Sequence, residues 1–404
     1  MIFTTGIIGE GNIVTVSGDG NIVSVGTNVE PRSVRVFEYH KWTPLGTFDP
    51  GQVLMAPSSQ SSDGNTIATS DPGYNSGAGA VIVLRLNSWI QWEQLGSVLT
   101  GDPSGGRFGW STSLSDDGNR LAVGEIDFSN GKGYVQVFEW DSTVGDWNEC
   151  GSRLLGQRNN DRFGVAVALS ADGNALAVGE SRYDGNDPNT GRVKNFAWDA
   201  TLPSNGIWIQ RGQFLYGGRL ETQFGNFLSL SADGTILAIA ERGTNHFVSR
   251  VVVYFLNGSS WTVRGTIING SAIVDLASRV TLSSDGNTLA TEARNVNGSC
   301  RIRLFQWDGS LYEQLGGDLN GGDENDQFGR SFSLSADGNT LAVGALGADY
   351  VLVYVRDMNT NTFTQLGSGI IGEGNIVTVS GDGNIVSVGT NVEPRSVRVF
   401  EYHK

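Results

Sequence analysis

Lysine is nearly missing from this 404-residue chain, standing only at Lys41, Lys132, Lys194 and Lys404. The formal net charge is −15, so there is no lysine-rich patch to neutralise phosphates. That balance speaks against a nucleic-acid partner and against insertion at an anionic membrane surface. Histidine is as sparse, at His40, His246 and His403, and the first and last of these are one repeat position. No H-E-x-x-H, CxxC, G-x-S-x-G or P-loop pattern occurs, so zinc, hydrolase and nucleotide chemistries have no anchor. The enzyme question stays open on this ground alone, with a non-enzymatic role favoured. Two cysteines, Cys150 and Cys300, fall three repeat units apart and do not suggest a disulfide scaffold. Proline is held to 9 residues against 57 glycines, which excludes collagen-like and proline-rich linker character. No apolar run reaches the roughly 20 residues of a membrane helix. The opening MIFTTGIIGEGN has neither the basic region nor the apolar stretch of a leader. The expectation is a chain without signal peptide or transmembrane segment, extracellular only if a leader has been removed.

What is present is repetition. The motif S-x-D-G-N, with threonine for asparagine once at LSADGTILAIA (230–240), recurs along the whole chain before a short apolar run, as in LSDDGNRLAVG at 114–124 and LSADGNTLAVG at 334–344. Its aspartates are Asp19, Asp63, Asp117, Asp172, Asp233, Asp285, Asp337 and Asp382, spaced 44 to 61 residues apart. Each unit reads as four strands. An alternating run is followed by an Asp-Gly hairpin turn, then the LAVG run, then a third strand such as Tyr134–Trp140. A fourth strand of the type W-x-Q-L-G follows, as in Trp92–Gly96, and a glycine-rich loop leads onward. The pattern predicts an all-β protein, a β-propeller of four-stranded antiparallel blades. A β-solenoid is the rival, but parallel coils have no place for a recurrent hairpin turn.

The chain also restates its own beginning. Residues 6–41 and 369–404 are identical over 36 positions. A single propeller domain over 1–404 is expected, with units near 6–48, 52–96, 107–155, 162–216, 223–267, 275–319, 327–368 and 369–404 plus 1–5. Residues 2–5 stand where other units have their fourth strand, and the last unit lacks one. Eight blades are therefore expected, with the N-terminal strand closing the last blade and leaving no bare sheet edge. Seven blades are the alternative, with the last copy redundant.

Four units enter their first strand through Phe-Gly: Phe108-Gly109, Phe163-Gly164, Phe224-Gly225 and Phe328-Gly329. With the downstream LAVG run this resembles the FG-GAP repeats of the integrin α-chain head propeller and related extracellular and microbial proteins. The resemblance is good in units three, four and seven, partial in unit five and weak elsewhere. It implies the fold, with the phenylalanine wedged between blades, and an adhesive or partner-binding role. In that family several hairpins carry calcium loops of D-x-D-x-D-G type. Here the hairpin is shorter and holds one carboxylate, or two at Asp116 and Asp117, too few for a six- to eight-oxygen calcium shell. No cofactor is expected, calcium at loop carboxylates being the weaker alternative.

Most tryptophans recur at fixed positions of the third and fourth strands and read as blade core. Trp110 does not, since it follows Phe108-Gly109 where other units have no aromatic residue. Core packing and exposure at the channel mouth are both open to it. Loops on the face where first strands begin are the other candidates. Asp184, Asn186, Asp187 and Asn189 sit in the loop at 181–191, and Asp323, Glu324 and Asp326 in the loop at 320–327. Carboxylates and amides in such loops suit a cation or the hydroxyls of a sugar, and a solvated turn is the plain alternative. The favoured role is a binding or scaffold propeller for a protein or glycan. A carbohydrate-active enzyme and a structural surface protein are the alternatives.

Overall fold

The computed structural model describes residues 56–61, 66–87, 92–185, 187–202, 206–242, 249–270, 279–294, 300–322, 326–345, 347–348 and 350–366. It also describes strand segments at 7–8, 13–16, 22–26, 34–38, 43–48, 370–371, 376–379, 385–389 and 396–401. These residues form antiparallel sheets of four or five strands, in which neighbours along the chain are neighbours in the sheet. Unit three is typical, with strands Phe108–Leu114, Arg120–Glu125, Tyr134–Asp141 and Asp146–Glu149 paired in that order.

The hairpin between the first two strands is longer than the two-residue turn that Asp-Gly suggests. Ser115 donates its backbone N–H to the carbonyl of Arg120, so four residues span the gap, and only Gly118 carries positive φ, at 65°. The aspartate acts through its side chain instead. Asp117 accepts from the Ser115 hydroxyl at 2.6 Å, the Asn119 backbone N–H at 3.0 Å and the Asn119 amide at 3.0 Å. Burial pushes its pKa up, but these hydrogen bonds outweigh it and leave the carboxyl below its ordinary range. Asp172, Asp233, Asp285 and Asp337 make the same bonds with their own serine and asparagine or threonine. Their acceptors are thus committed to the turn.

Successive hairpins are tied to one another. The N–H of Asp116 donates to Ala171, that of Ala171 to Ala232, that of Ala232 to Ser284 and that of Ser284 to Ala336, each at 2.9–3.0 Å. First strands also lie against first strands, from Ala56–Gln60 through Phe108–Leu114, Phe163–Leu169, Phe227–Leu230, Val280–Leu282 and Phe328–Leu334 to Ile376–Val379. Sheets arranged about their first strands in this way are the geometry of a propeller.

The core lies between sheets rather than within them. Phe163, 1% exposed, joins Ala122, Val135 and Val137 of the preceding sheet to Leu176, Val178 and Trp208 of its own. Phe108 does the same between Val81, Val83 and Leu121, Val123. The wedging phenylalanine expected from the sequence is found at both. Gly133 makes the contact possible: its φ is +74°, and a Cβ there would stand 2.1 Å from the Phe163 carbonyl oxygen. The fourth-strand tryptophans Trp147, Trp208 and Trp261 are buried, and their indole N–H groups reach back one unit. Trp147 donates to Leu95, Trp208 to Cys150 and Trp261 to Arg211, at 2.8–3.0 Å. Cys150 and Cys300 are both buried, and neither is in a disulfide.

One element differs from the expectation. After the glycine of W-x-Q-L-G the chain is not simply a loop. A second, two-residue strand returns to the third strand, as Leu154–Leu155 pairs with Val135 and Tyr134. Ile370–Ile371 is such a strand on Tyr350–Val351, and its identical copy Ile7–Ile8 pairs with Ser396–Val397. The pairing of the chain's start with its final sheet therefore falls on residues 7–8, while residues 2–5 lie outside the described residues.

Candidate functional site

In the four units with Phe-Gly the chain enters the first strand through a residue of positive φ. Arg107, Arg162, Gln223 and Gln327 have φ between 51° and 61°, and the N–H three residues on closes a tight turn in units three to five. The turn at Arg107, loop residues after two second strands, and first-strand residues of neighbouring units line an open cavity of about 1010 Å³. Trp110 lines it, half-buried, and the Arg107 guanidinium stands 5.6 Å from its ring centre. Phe227 and Arg279 form another part of the wall, the guanidinium 5.4 Å from the ring. Asp71 and Asp127 complete the charged lining. Asp71 accepts the N–H of Gly73 at 2.8 Å, and Asp127 pairs with Arg107 at 3.1 Å. Trp110 is thus half-buried rather than fully enclosed in the core.

The other expected residues that are described, Asp184, Asp187, Asn189 and Asp326, are not brought to that cavity. Asp184 and Asp187 are exposed in their own loop, where Asp184 accepts the Asn189 N–H at 2.7 Å and Asn189 takes a φ of 50°. Their pattern is that of a hydrogen-bonded turn. Asp326 is not a solvated tip: it is 2% exposed and accepts from the Tyr350 hydroxyl at 2.6 Å and from the N–H of Phe328 at 2.9 Å. It fastens the loop to the strand that follows. Asn186, Asp323 and Glu324 lie outside the described residues. Among the described residues no group of three or more His, Cys, Asp or Glu is placed to hold a metal ion. No described helix is long and apolar enough to cross a membrane.

Sequence reasoning passed over a buried charge cluster beneath the loop at 181–191. Glu180, fully buried at the end of its strand, pairs with Arg192 and, at 3.4 Å, with Lys194, both of which are 4% exposed. Tyr183 and Phe214 cover the Arg192 guanidinium, and Phe163 and Phe214 stand near the Lys194 ammonium. Asp161, 2% exposed, approaches the same group and has one carboxylate oxygen without a hydrogen-bond partner. Burial, and then the charge of Glu180, push its pKa up to about 6 from an ordinary 3.8. A folded pKa above the unfolded one means that this group's contribution to stability is complete below about pH 4 and is lost as pH rises through about 6. Asp161→Asn is therefore expected to raise the melting temperature at pH 7.5, with the gain disappearing toward pH 4. A gain that persists unchanged at pH 4 contradicts this. The only sequence signal was the recurrence of glutamate after LAVG or LAIA, at Glu125, Glu180 and Glu241.

No protein-family model matches the chain, and no curated protein does. Solved structures do. The structure described as the Dos1 propeller is similar with a TM-score of 0.61 and 14% identity, covering 99% of this chain and 93% of its own. A Bacteroides fragilis protein provisionally assigned as a 6-phosphogluconolactonase matches with a TM-score of 0.57 and 13% identity, over 92% of this chain and 96% of its own. A Bacteroides uniformis protein with the same provisional assignment gives 0.57 and 15%, over 85% and 93%. At such identities the likeness speaks for the fold alone: this is an all-β chain with a propeller-like arrangement of antiparallel sheets.

Proposed function

We propose that this chain is an eight-bladed propeller that binds a carbohydrate ligand in the cavity at Trp110. The carrying observation is the cavity itself, of about 1010 Å³, where an aromatic ring and polar side chains from several units converge. A volume of that order suits a small ligand, and a tryptophan face suits the C–H surface of a sugar ring. Eight blades are supported by two features. Strand Ile13–Val16 lies against both Ile376–Val379 and Ala56–Gln60, and Ile7–Ile8 extends the sheet of Ser396–Glu401. Kinship with FG-GAP propellers belongs to the same proposal, as do the absence of nucleic-acid and membrane partners and of a bound cofactor.

Trp110→Ala is expected to weaken binding of the best ligand on a glycan array by about tenfold or more, taking the loss of an aromatic stacking platform at the roughly 1–3 kcal/mol it is worth for a nucleic-acid base. The melting temperature should hold. Asp187→Ala, outside the cavity, is the control and should leave binding unchanged. Equal affinity of Trp110→Ala and the parent protein would remove the cavity from the account.

Two of the similar structures carry a lactonase assignment, which motivates an enzymatic reading of the same cavity. Asp71 and Asp127 are the acids that line it, one holding a backbone N–H and the other an arginine pair. Groups so engaged suit ligand orientation better than proton transfer. Turnover of a panel of sugar lactones and polysaccharides, abolished by Asp127→Asn, would favour the enzyme.

A further inference from the structure

Units three, four and five each end their second strand on a fully buried glutamate, and two of them supply a cation for it. Glu180 faces Arg192 across the sheet and Glu241 faces Arg250, and an ion pair joins each. Glu241 also accepts from the Thr222 hydroxyl at 2.9 Å. Glu125 faces Tyr134 instead. Neither of its carboxylate oxygens has a hydrogen bond of ordinary geometry, although the Tyr134 hydroxyl and the Asp102 N–H approach it. A buried carboxylate so placed carries its desolvation cost almost uncompensated.

A glycine-rich loop closes over this carboxylate. The position two before the phenylalanine is Gly106 in unit three, Asp161 in unit four, Thr222 in unit five and Asp326 in unit seven. A Cβ on Gly106 would overlap Oε1 of Glu125, and one on Gly101 would stand 2.6 Å from Oε2. Glu125 thus fills the space that a loop side chain holds elsewhere. In unit seven the arrangement is reversed: Ala345 stands in the glutamate's place opposite Tyr350, and Asp326 accepts from the Tyr350 hydroxyl at 2.6 Å. With backbone against both oxygens, the space admits a proton rather than a metal ion. The charged groups around Glu125 are Asp102 on the loop, Arg153 over the Tyr134 ring at 4.7 Å, and Asp127, which is turned to Arg107 at 3.1 Å. Burial dominates them and pushes the Glu125 carboxyl above its ordinary 4.5.

We propose that Glu125 is a proton-operated latch on the loop at 101–107: neutral, it stays beneath the loop and holds it down; ionised, it leaves for water and lifts the loop. The loop belongs to the cavity wall, since Gly105 and Arg107 line the cavity and the Gly106 carbonyl accepts the N–H of Asp127, another lining residue, at 2.9 Å. Access to the cavity therefore grows as pH rises. With a folded pKa above the unfolded one, the hold on the loop is complete below about pH 4.5 and is lost as pH rises through the folded value. The same linkage raises the opening equilibrium by up to about tenfold per pH unit across that interval. None of this depends on what the cavity binds.

The test is hydrogen exchange of the full chain without ligand, read by mass spectrometry on peptides covering 101–107 and corrected for the intrinsic pH dependence of exchange. Peptides covering 217–223 are the internal control, because Glu241 beneath that loop keeps its arginine. Relative to the control, opening of 101–107 is expected to be at least about tenfold greater at pH 7.5 than at pH 4.5. Glu125→Gln is neutral at both values and should abolish the difference, with the loop protected throughout. Glu125→Ala copies the residue native to unit seven and should abolish it as well, whatever its level of protection. Equal relative protection of the parent protein at the two pH values overturns the latch. A difference that survives in both variants overturns it too, and assigns the pH response to another group, Asp102 first.

Discussion

Phe163→Ala is expected to lower the stability of the chain by about 3–5 kcal/mol, the range for removing a large side chain from a packed interior. The ring is 1% exposed and touches two sheets at once, so neither can close over the space alone. Ala122, Val135 and Val137 sit on strands held by their own ladders, and Trp208 is fixed by its bond to the Cys150 carbonyl. The Lys194 ammonium, 4.9 Å from the ring, would lose its aromatic cover as well. Chemical denaturation followed by tryptophan fluorescence reads the effect as a lower midpoint. Val144→Ala, at a side chain 69% exposed, is the reference and should shift by less than about 0.5 kcal/mol. A Phe163→Ala loss below about 1 kcal/mol would mean that the phenylalanine does not join the sheets.

Glu180→Ala is expected to cost a similar amount, about 3–5 kcal/mol, for a different reason. It leaves Arg192 and Lys194 buried without their shared carboxylate, and an uncompensated interior charge is expensive. The corresponding position in unit seven is Ala345, opposite Tyr350 rather than an arginine, so the sheet itself does not need the acid. The cost should then depend on the cations. Glu180→Ala combined with Arg192→Tyr is expected to recover part of the loss. A double variant as unstable as the sum of the two single ones would contradict a charge-pair origin.

How far these features were legible in advance depends on how local they are. The sheets were legible because Asp-Gly turns and period-two runs are written within a dozen residues each. Phe108 and Phe163 were recognisable as wedges from their recurrence, and Trp110 as an exception because it alone breaks the pattern after Phe-Gly. Strand Leu154–Leu155 was not legible, since two residues carry no period. Glu180 was not, because a charged residue after an apolar run looks like the exposed end of a strand. Asp326 misled for the matching reason: a carboxylate in a polar loop gives no sign that Tyr350 and the N–H of Phe328 will enclose it. The cavity itself comes from residues as distant in sequence as Asp71 and Arg279, which no local pattern connects.

The eight-bladed ring proposed above rests on where the first residues of the chain join it. Ile8 stands opposite Ser396, and in the identical copy Ile371 stands opposite Tyr350. Residues directly opposite in an antiparallel pair are about 4.5–5.5 Å apart at Cα, within reach of a disulfide. Two cysteine pairs separate the closures: Ile8→Cys with Ser396→Cys, and Ile8→Cys with Tyr350→Cys. Mild oxidation of dilute monomer, read on a non-reducing gel, is predicted to give an intramolecular bond in the first pair and none in the second. A bond in the second pair, or bonds only between chains in the first, would contradict the eight-sheet ring.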